Sequence, residues 1–302
     1  MSAEQIRVSV PEAPSKFKLP KLTTVLLVLG ACVVVFPFVW MILGSFKTMQ
    51  ESSSYPPQVF PSQLHWENYK NAWLAPPNTL GKYFINTIIV AFTGTIGQLM
   101  VCSLAASAFA QLKFRGKDIL FAFVLGTMMI PGEITLIPNF MTIRHFPLMG
   151  GNDILGSGGT GLYDTYAAQI IPGMVGAFNI FLLRQSFMQI PKDFWEAAQI
   201  DGSNSFRYLW EVVIPMSKPI MITVFLLGLV GRWNALLWPL IVTRDETLRP
   251  VQLAMIWYQG EFSADQGVVM AASLLVTIPI VILFLFMQRH FIEGIVGSGL
   301  KG

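Results

Sequence analysis

Two ionisable residues, Glu133 and Arg232, fall inside long apolar stretches of this sequence, and they are the first candidates for chemistry. A charged group at the centre of a bilayer costs about 2.5–3.5 kcal/mol on insertion scales, so each must face a bundle interior, pair, or line water. One reading pairs them with each other or lets them snorkel to an interface. The other has Arg232, beside Trp233 and Asn234, reaching a solute pathway, where a guanidinium can grip hydroxyl groups or a carboxylate bidentately. Trp257 and Tyr258 carry ring faces on which the apolar face of a solute can stack, although aromatic residues also form belts at membrane interfaces. Asn86, Gln98, Gln169 and Asn179 are further polar groups in apolar surroundings, and hydrogen bonding between helices is the default role for each.

Catalytic and metal-binding readings fail on spacing. His65, His145 and His290 lie far apart in the sequence and form no ligand or acid–base set. Cys32 and Cys102 both sit in apolar runs and support neither a disulfide framework nor a zinc site. No Gly-x4-Gly-Lys-Ser/Thr phosphate loop occurs: Gly116-Lys117 is followed by Asp118 and lacks the upstream glycine. The cluster Gly150, Gly151, Gly156, Gly158, Gly159 and Gly161 has no Lys-Ser/Thr after it and reads as a mobile or tightly turning surface loop. The chain therefore reads as a transport component and not an enzyme.

What positions these residues follows from composition. Of 302 residues, 53% are hydrophobic and 12% charged, about half the charged fraction of a soluble domain. Crossing roughly 30 Å of hydrocarbon takes about 20 apolar residues in a helix, and six stretches qualify. They are Leu22–Gly44, Tyr83–Ala110, Ile119–Met141, Ala167–Leu183, Pro219–Val242 and Val268–Met287. Backbone groups in lipid must be satisfied internally, so these spans are helices and the fold class is an all-α polytopic membrane protein. The domain plan is an N-tail (1–21), a six-helix transmembrane domain (22–287) and a C-tail (288–302). Pro131, Gly132 and Pro138 mark breaks within spans that line a cavity.

The net charge of +3 is too small to suggest nucleic acid, but its distribution is informative. Thirteen of the twenty Lys and Arg residues fall in the N-tail, the second and fourth loops and the C-tail; six fall in the other loops, and the last is Arg232. The positive-inside rule then puts both termini and the second and fourth loops in the cytoplasm. The first outer loop, rich in proline around Trp66 and Tyr69, reads as structured, with short helical pieces.

The fourth loop, Arg184–Lys218, has the pattern of a helix-turn-helix. Asp193 and Glu196 have capping-box spacing, Gly202 suits a left-handed helix terminator, and Ser205 can cap a second helix stopped by Pro215. Phe206, Leu209, Trp210 and Val213 recur at helical spacing as one apolar stripe, which packs either on a partner protein or on the bundle itself.

The segment Glu196-Ala197-Ala198, three residues, Gly202, nine residues, Val212, one residue, Ile214-Pro215 resembles the EAA loop of ATP-binding-cassette importer permeases, EAA-x3-G-x9-I-x-LP. Val212 and Ile214 depart from the pattern only within aliphatic type. Trp233-Asn234 with Leu237-Trp238-Pro239-Leu240, the stretch Gly260–Ala272 and the tail from Phe291-Ile292-Glu293-Gly294 to Lys301-Gly302 are similar to the smaller, maltose-permease G type subunit of carbohydrate importers.

That resemblance implies a multi-pass subunit of the bacterial inner membrane. It implies a second permease subunit, two ATPase subunits that hold ATP and Mg, and an external substrate-binding protein that delivers a saccharide. This chain itself then holds no cofactor. Glu196, Ala197, Ala198, Asp201, Gly202 and Pro215 become the ATPase-coupling set, with Glu196 shared between cap and partner and the two alanines letting the helix seat in a groove. The C-tail would reach between the ATPases, and the loop bearing Trp257 and Tyr258 would enter the mouth of the binding protein. Arg232 stands where a small residue is more usual, which raises an acidic saccharide as the substrate. The competing readings are an ATPase-independent secondary transporter or channel subunit, and a membrane-embedded scaffold.

Overall fold

In the computed structural model, which describes residues 21–75 and 77–299 with side chains through residue 288, every regular element is helical. The elements in order are α1 (Lys21–Gly44), α2 (Met49–Ser52), α3 (Glu67–Leu74), α4 (Leu80–Gln111), α5 (Lys117–Gly126), α6 (Gly132–Arg144), α7 (Tyr166–Ile170) and α8 (Ala177–Phe187). They continue with α9 (Lys192–Ile200), α10 (Ser205–Tyr208), α11 (Ile214–Met216), α12 (Lys218–Trp233), α13 (Leu237–Val242), α14 (Val251–Glu261) and α15 (Gln266–Gly299). The N-tail through residue 20 lies outside the described residues, as do the side chains of the C-tail, His290 included.

Among the described residues three helices, α1, α4 and α15, are long and apolar enough to cross a membrane alone. Three bent pairs bring the number of candidate spans to six: α5 with α6 at 105°, α7 with α8 at 47°, and Ser205–Met216 with α12 at 88°. The third and fourth predicted spans are therefore not continuous helices. Pro131 cannot donate to a helix ladder, and α5 runs through a short 3-10 turn into Ile130 before α6 restarts at Gly132. Pro138, by contrast, is accommodated inside α6. The fifth predicted span also ends early: α12 stops at Trp233 and α13 restarts at Leu237. The last helix continues past its predicted end at Met287 to Gly299, so the predicted C-tail begins as helix.

α4 is the axis of the bundle, packed along α8 and α12, while α12 also packs on α15 and α1 leans chiefly on α15. At Gly44 a Cβ would lie 2.0 Å from the Met270 sulfur, so the absent side chain sets how closely α1 approaches α15. Two apolar cores occupy opposite ends of this frame. One gathers Leu80, Tyr83, Trp233, Val251, Tyr258 and Val268, the other Cys102, Phe121, Leu183, Phe187, Leu209, Val213 and Val224.

The glycine-rich loop is built and tightly turned. Gly150, Gly151, Gly156, Gly158 and Gly161 all have positive φ, and the Asn152 amide donates to the Arg144 and Phe146 carbonyls at 3.0 Å each. The Asp164 carboxylate accepts the Arg244 and Asp245 amides at 2.8 and 2.9 Å, tying this loop to the segment that leads into α14.

Candidate functional site

The first candidate region is the turn from α9 to α11. Helix α9 ends in a Schellman arrangement: Ser203 donates to the Ala198 carbonyl (2.8 Å) and Gly202 to Gln199 (3.0 Å), with Gly202 at φ +75°. The predicted capping box is absent. Helix α9 begins at Lys192 behind Pro191, so Asp193 and Glu196 lie two positions too far into the helix, and the N-cap position makes no side-chain bond. Asn204, not Ser205, caps the second arm, accepting the Arg207 amide at 2.8 Å. Pro215 does not stop that arm either. A π-helical stretch, Leu209–Val213, precedes α11, whose first turn can hold a proline, and the chain bends only at Ser217.

The apolar stripe divides between two faces. Tyr208, Leu209 and Val213 are buried in the bundle core with Ala198, and Trp195 meets Tyr208 edge-on at 4.9 Å, joining the two arms. Each fully buried apolar side chain is worth about 1.5–3 kcal/mol, enough to hold the turn as a rigid body. The opposite face is bare. Ile200 is 87% and Phe206 60% exposed, and Trp210, Phe194, Ala197, Glu196, Asp201 and Pro215 are exposed as well.

The second region is a cavity of about 590 Å³ lined from α4 (Gln98), α6 (Gly132, Thr135, Asn139), the turn before α8 (Gly173) and α12 (Gly228, Arg232), with Trp238 beyond. Arg232 lies half-buried in the last turn of α12. Its Nη1 donates to Gln98 Oε1 at 2.6 Å and to the Gly228 carbonyl at 3.4 Å, and its Nη2 donates to the Gly173 carbonyl. Three glycines leave the room it occupies. A Cβ on Gly94 would lie 2.5 Å from Arg232 Nε, one on Gly173 would lie 3.3 Å from Nη2, and one on Gly228 would lie 3.3 Å from Nη1.

The other candidates part company with this cavity. Glu133, in the first turn of α6, is exposed and no ion pair joins it to Arg232 among the described residues. Asn234 is exposed beside the cavity, bonded to Val230 and Gln252. Trp257 and Tyr258 lie on α14 and not on a loop. Tyr258 is fully buried with its hydroxyl donating to the Ala72 carbonyl, and Trp257 packs edge-on to Tyr258 and Phe262. Tyr258 is thus a core residue with no face open to a ligand. Asn86 bonds between elements, donating to the Thr247 and Arg249 carbonyls at 2.8 Å each and accepting from Tyr166 at 2.7 Å.

The glycine cradle escaped sequence reasoning, although a signal was present. Gly94 and Gln98 on α4, and Gly228 and Arg232 on α12, are each spaced i, i+4, which puts the members of each pair on one helix face.

A bundle of broken and straight membrane-length helices with an exposed helical turn at one end is the architecture of a transporter subunit. Residues 98–296 match the family described as "Binding-protein-dependent transport system inner membrane component", and the chain belongs to that family. It is 30% identical to the probable ABC transporter permease protein YurM of Bacillus subtilis (strain 168), over 92% of this chain and 87% of that one. It is also 30% identical to the sn-glycerol-3-phosphate transport system permease protein UgpE of Escherichia coli O6:K15:H31 (strain 536 / UPEC), over 90% and 94% of the two chains. In structure it resembles a chain of a bacterial ABC transporter involved in import of the acidic polysaccharide alginate (TM-score 0.75, 25% identity, 89% of this chain and 95% of that one). A second alginate transporter chain, from a complex with a pentasaccharide-bound periplasmic protein, shares the fold at TM-score 0.59 and 11% identity, over the same shares of the two chains. The chain is a membrane permease of the ABC importer class and not itself a catalyst.

Proposed function

We propose that this chain forms one half of a carbohydrate import pathway in the bacterial inner membrane, beside a second permease subunit, and that two ATPases grip the α9–α11 turn. Relatives named for a substrate handle sn-glycerol-3-phosphate and the acidic polysaccharide alginate, which supports a carbohydrate or a polyol derivative as the cargo. An external binding protein delivers it, as the complex of the alginate transporter with its periplasmic protein suggests.

The observation that carries this reading is the two-faced turn. Its rear is fastened by Tyr208, Leu209 and Val213, while its front leaves Glu196, Ala197, Ile200 and Phe206 open to solvent. An exposed apolar face on a rigid, well-buried base fits a docking surface. Ala197 keeps that front low, so the helix can seat in a groove, and Glu196 supplies a carboxylate at its rim. ATP and Mg belong to the partner ATPases, whose closure would push this turn. Motion would then pass through the bend at Ser217 directly into α12, the helix that carries Arg232. Pathway opening by such a lever is alternating access in which chemistry and transport occupy different subunits.

Copurification of the whole importer tests this. Glu196→Lys and Ala197→Trp should each release most of the ATPase from the solubilised complex and lower uptake at least about 10-fold, leaving this chain folded. A wild-type chain that carries no ATPase, or variants that transport and copurify unchanged, would overturn the proposal in favour of an ATPase-independent transporter.

A further inference from the structure

We infer that the cavity between α4, α6 and α12 is a binding site for the anionic group of a carbohydrate, with Arg232 as its anchor. The inference rests on the import reading and adds the charge of the cargo. Arg232 is a full positive charge in a membrane-embedded bundle, and among the described residues no carboxylate lies within 4 Å of it. Its three acceptors are neutral: the Gln98 amide oxygen and the Gly173 and Gly228 carbonyls. Neutral dipoles orient a guanidinium without cancelling its charge, so the field in the cavity stays positive.

Tying helices together does not require that charge. An uncharged amide could bond the same carbonyls without the insertion cost of an ion, about 2.5–3.5 kcal/mol at mid-span. The chain instead keeps glycine at positions 94, 173 and 228, on three different elements, and each leaves space that the guanidinium fills. Nη1 and Nη2 carry four N–H groups against three acceptors among the described residues, so part of the fork remains free for an incoming oxyanion.

The rest of the lining suits a polyhydroxylated ligand. Gln169 lines the cavity, is 95% buried (5% exposed), and donates to the Leu248 carbonyl at 3.2 Å while its Oε1 has no partner. That bond fixes the Gln169 amide in the cavity wall. Asn139 and Asn179 add amides, and the Trp238 ring, held by its Nε1 bond to the Ala168 carbonyl at 3.0 Å, offers an apolar face. Helices α6 and α8 both start at the cavity without side-chain caps, so their N-terminal amides add to the positive field. Glu133, in the first turn of α6, is exposed and outside the lining. At about 590 Å³ the cavity falls in the range of small-ligand sites.

The test uses the complete importer with its binding protein in proteoliposomes. The probes are a uronate trisaccharide, its neutral methyl ester, glycerol 3-phosphate and glycerol. Comparing each anion with its neutral counterpart in wild type and variant cancels whatever selection the binding protein applies. The wild type should take up at least one anion, and Arg232→Gln should reduce that uptake about 10-fold or more, with Arg232→Lys retaining most of it. Loss confined to the uronate or to the phosphate identifies a carboxylate or a phosphate as the group held. Uptake of any transported neutral probe should stay within about two-fold. Gly94→Ala, which drives a methyl group into Nε while keeping the charge, should lower anion uptake selectively and carries the test if Arg232→Gln does not assemble. A wild type that carries neutral probes only, or variants that lose charged and neutral cargo equally, would overturn the inference. ATPase copurifying with each variant shows that the importer reading stands whichever way the cargo result falls.

Discussion

Glu51, in the short helix after α1, is a carboxylate whose surroundings favour its charged form. The Ser62 hydroxyl, the Thr48 amide, the Ser62 amide and the Thr48 hydroxyl all bond to it, and together they lower its pKa from 4.5 to about 2. A depressed carboxylate pKa contributes stability that is present above pH 4.5 and is lost as pH falls towards 2. Hydrogen-exchange protection of residues 48–62, corrected for intrinsic rates, should therefore hold from pH 7 to 5 and fall between pH 4.5 and 2. In Glu51→Gln protection should be weaker at pH 7 and flat across that range. Residue types told which side chains were costly in a membrane, and Arg232 does line a cavity. They could not reveal that Gln98, 134 residues away, orients it, because such pairings depend on which faces the bundle brings together.

Among the elements, the turn after α9 shows why pattern reading succeeded at one end of a helix and failed at the other. Gly202 occupies φ +75°, a conformation that costs an L-residue with a Cβ about 1–2 kcal/mol and that asparagine tolerates best among the alternatives. Terminators of this kind were legible because a single residue's sterics decide them. The N-terminal cap was not, since Pro191 already fixes the entry of the chain and leaves Asp193 and Glu196 inside the helix. A Cβ on Gly202 would meet nothing within 4 Å, so only backbone strain separates the variants. Gly202→Ala should weaken retention of the ATPase on washing at raised temperature, while Gly202→Asn should stay near wild type. Equal retention by all three would show that the turn's conformation does not govern docking. The breaks in the third, fourth and fifth spans divide in the same way. Pro131 announced one of them, whereas hydropathy alone ran on through the kinks at Val175–Gly176 and Asn234–Leu236 because apolar composition carries no information about helix direction.

On the scale of the whole molecule, the two ends of the bundle differ in charge and in construction. The end with α9–α11 also carries the loop Lys113, Arg115 and Lys117, whose basic side chains are the kind retained on the cytoplasmic side. The other end is fastened by contacts far apart in sequence, such as Asp164 to Arg244 and Asn86 to Thr247, which would hold it together as α12 rocks. This architecture makes orientation testable by surface labelling of a variant lacking Cys32 and Cys102. Ser157→Cys and Ser263→Cys, both exposed at the end away from the lever, should react with an impermeant maleimide in intact cells. Asp118→Cys and Gln199→Cys, exposed at the lever end, should react only after the membrane is opened. An ATPase fuelled by cytoplasmic ATP can grip the α9–α11 turn in no other orientation, so labelling of Gln199→Cys from outside would remove the lever from the mechanism.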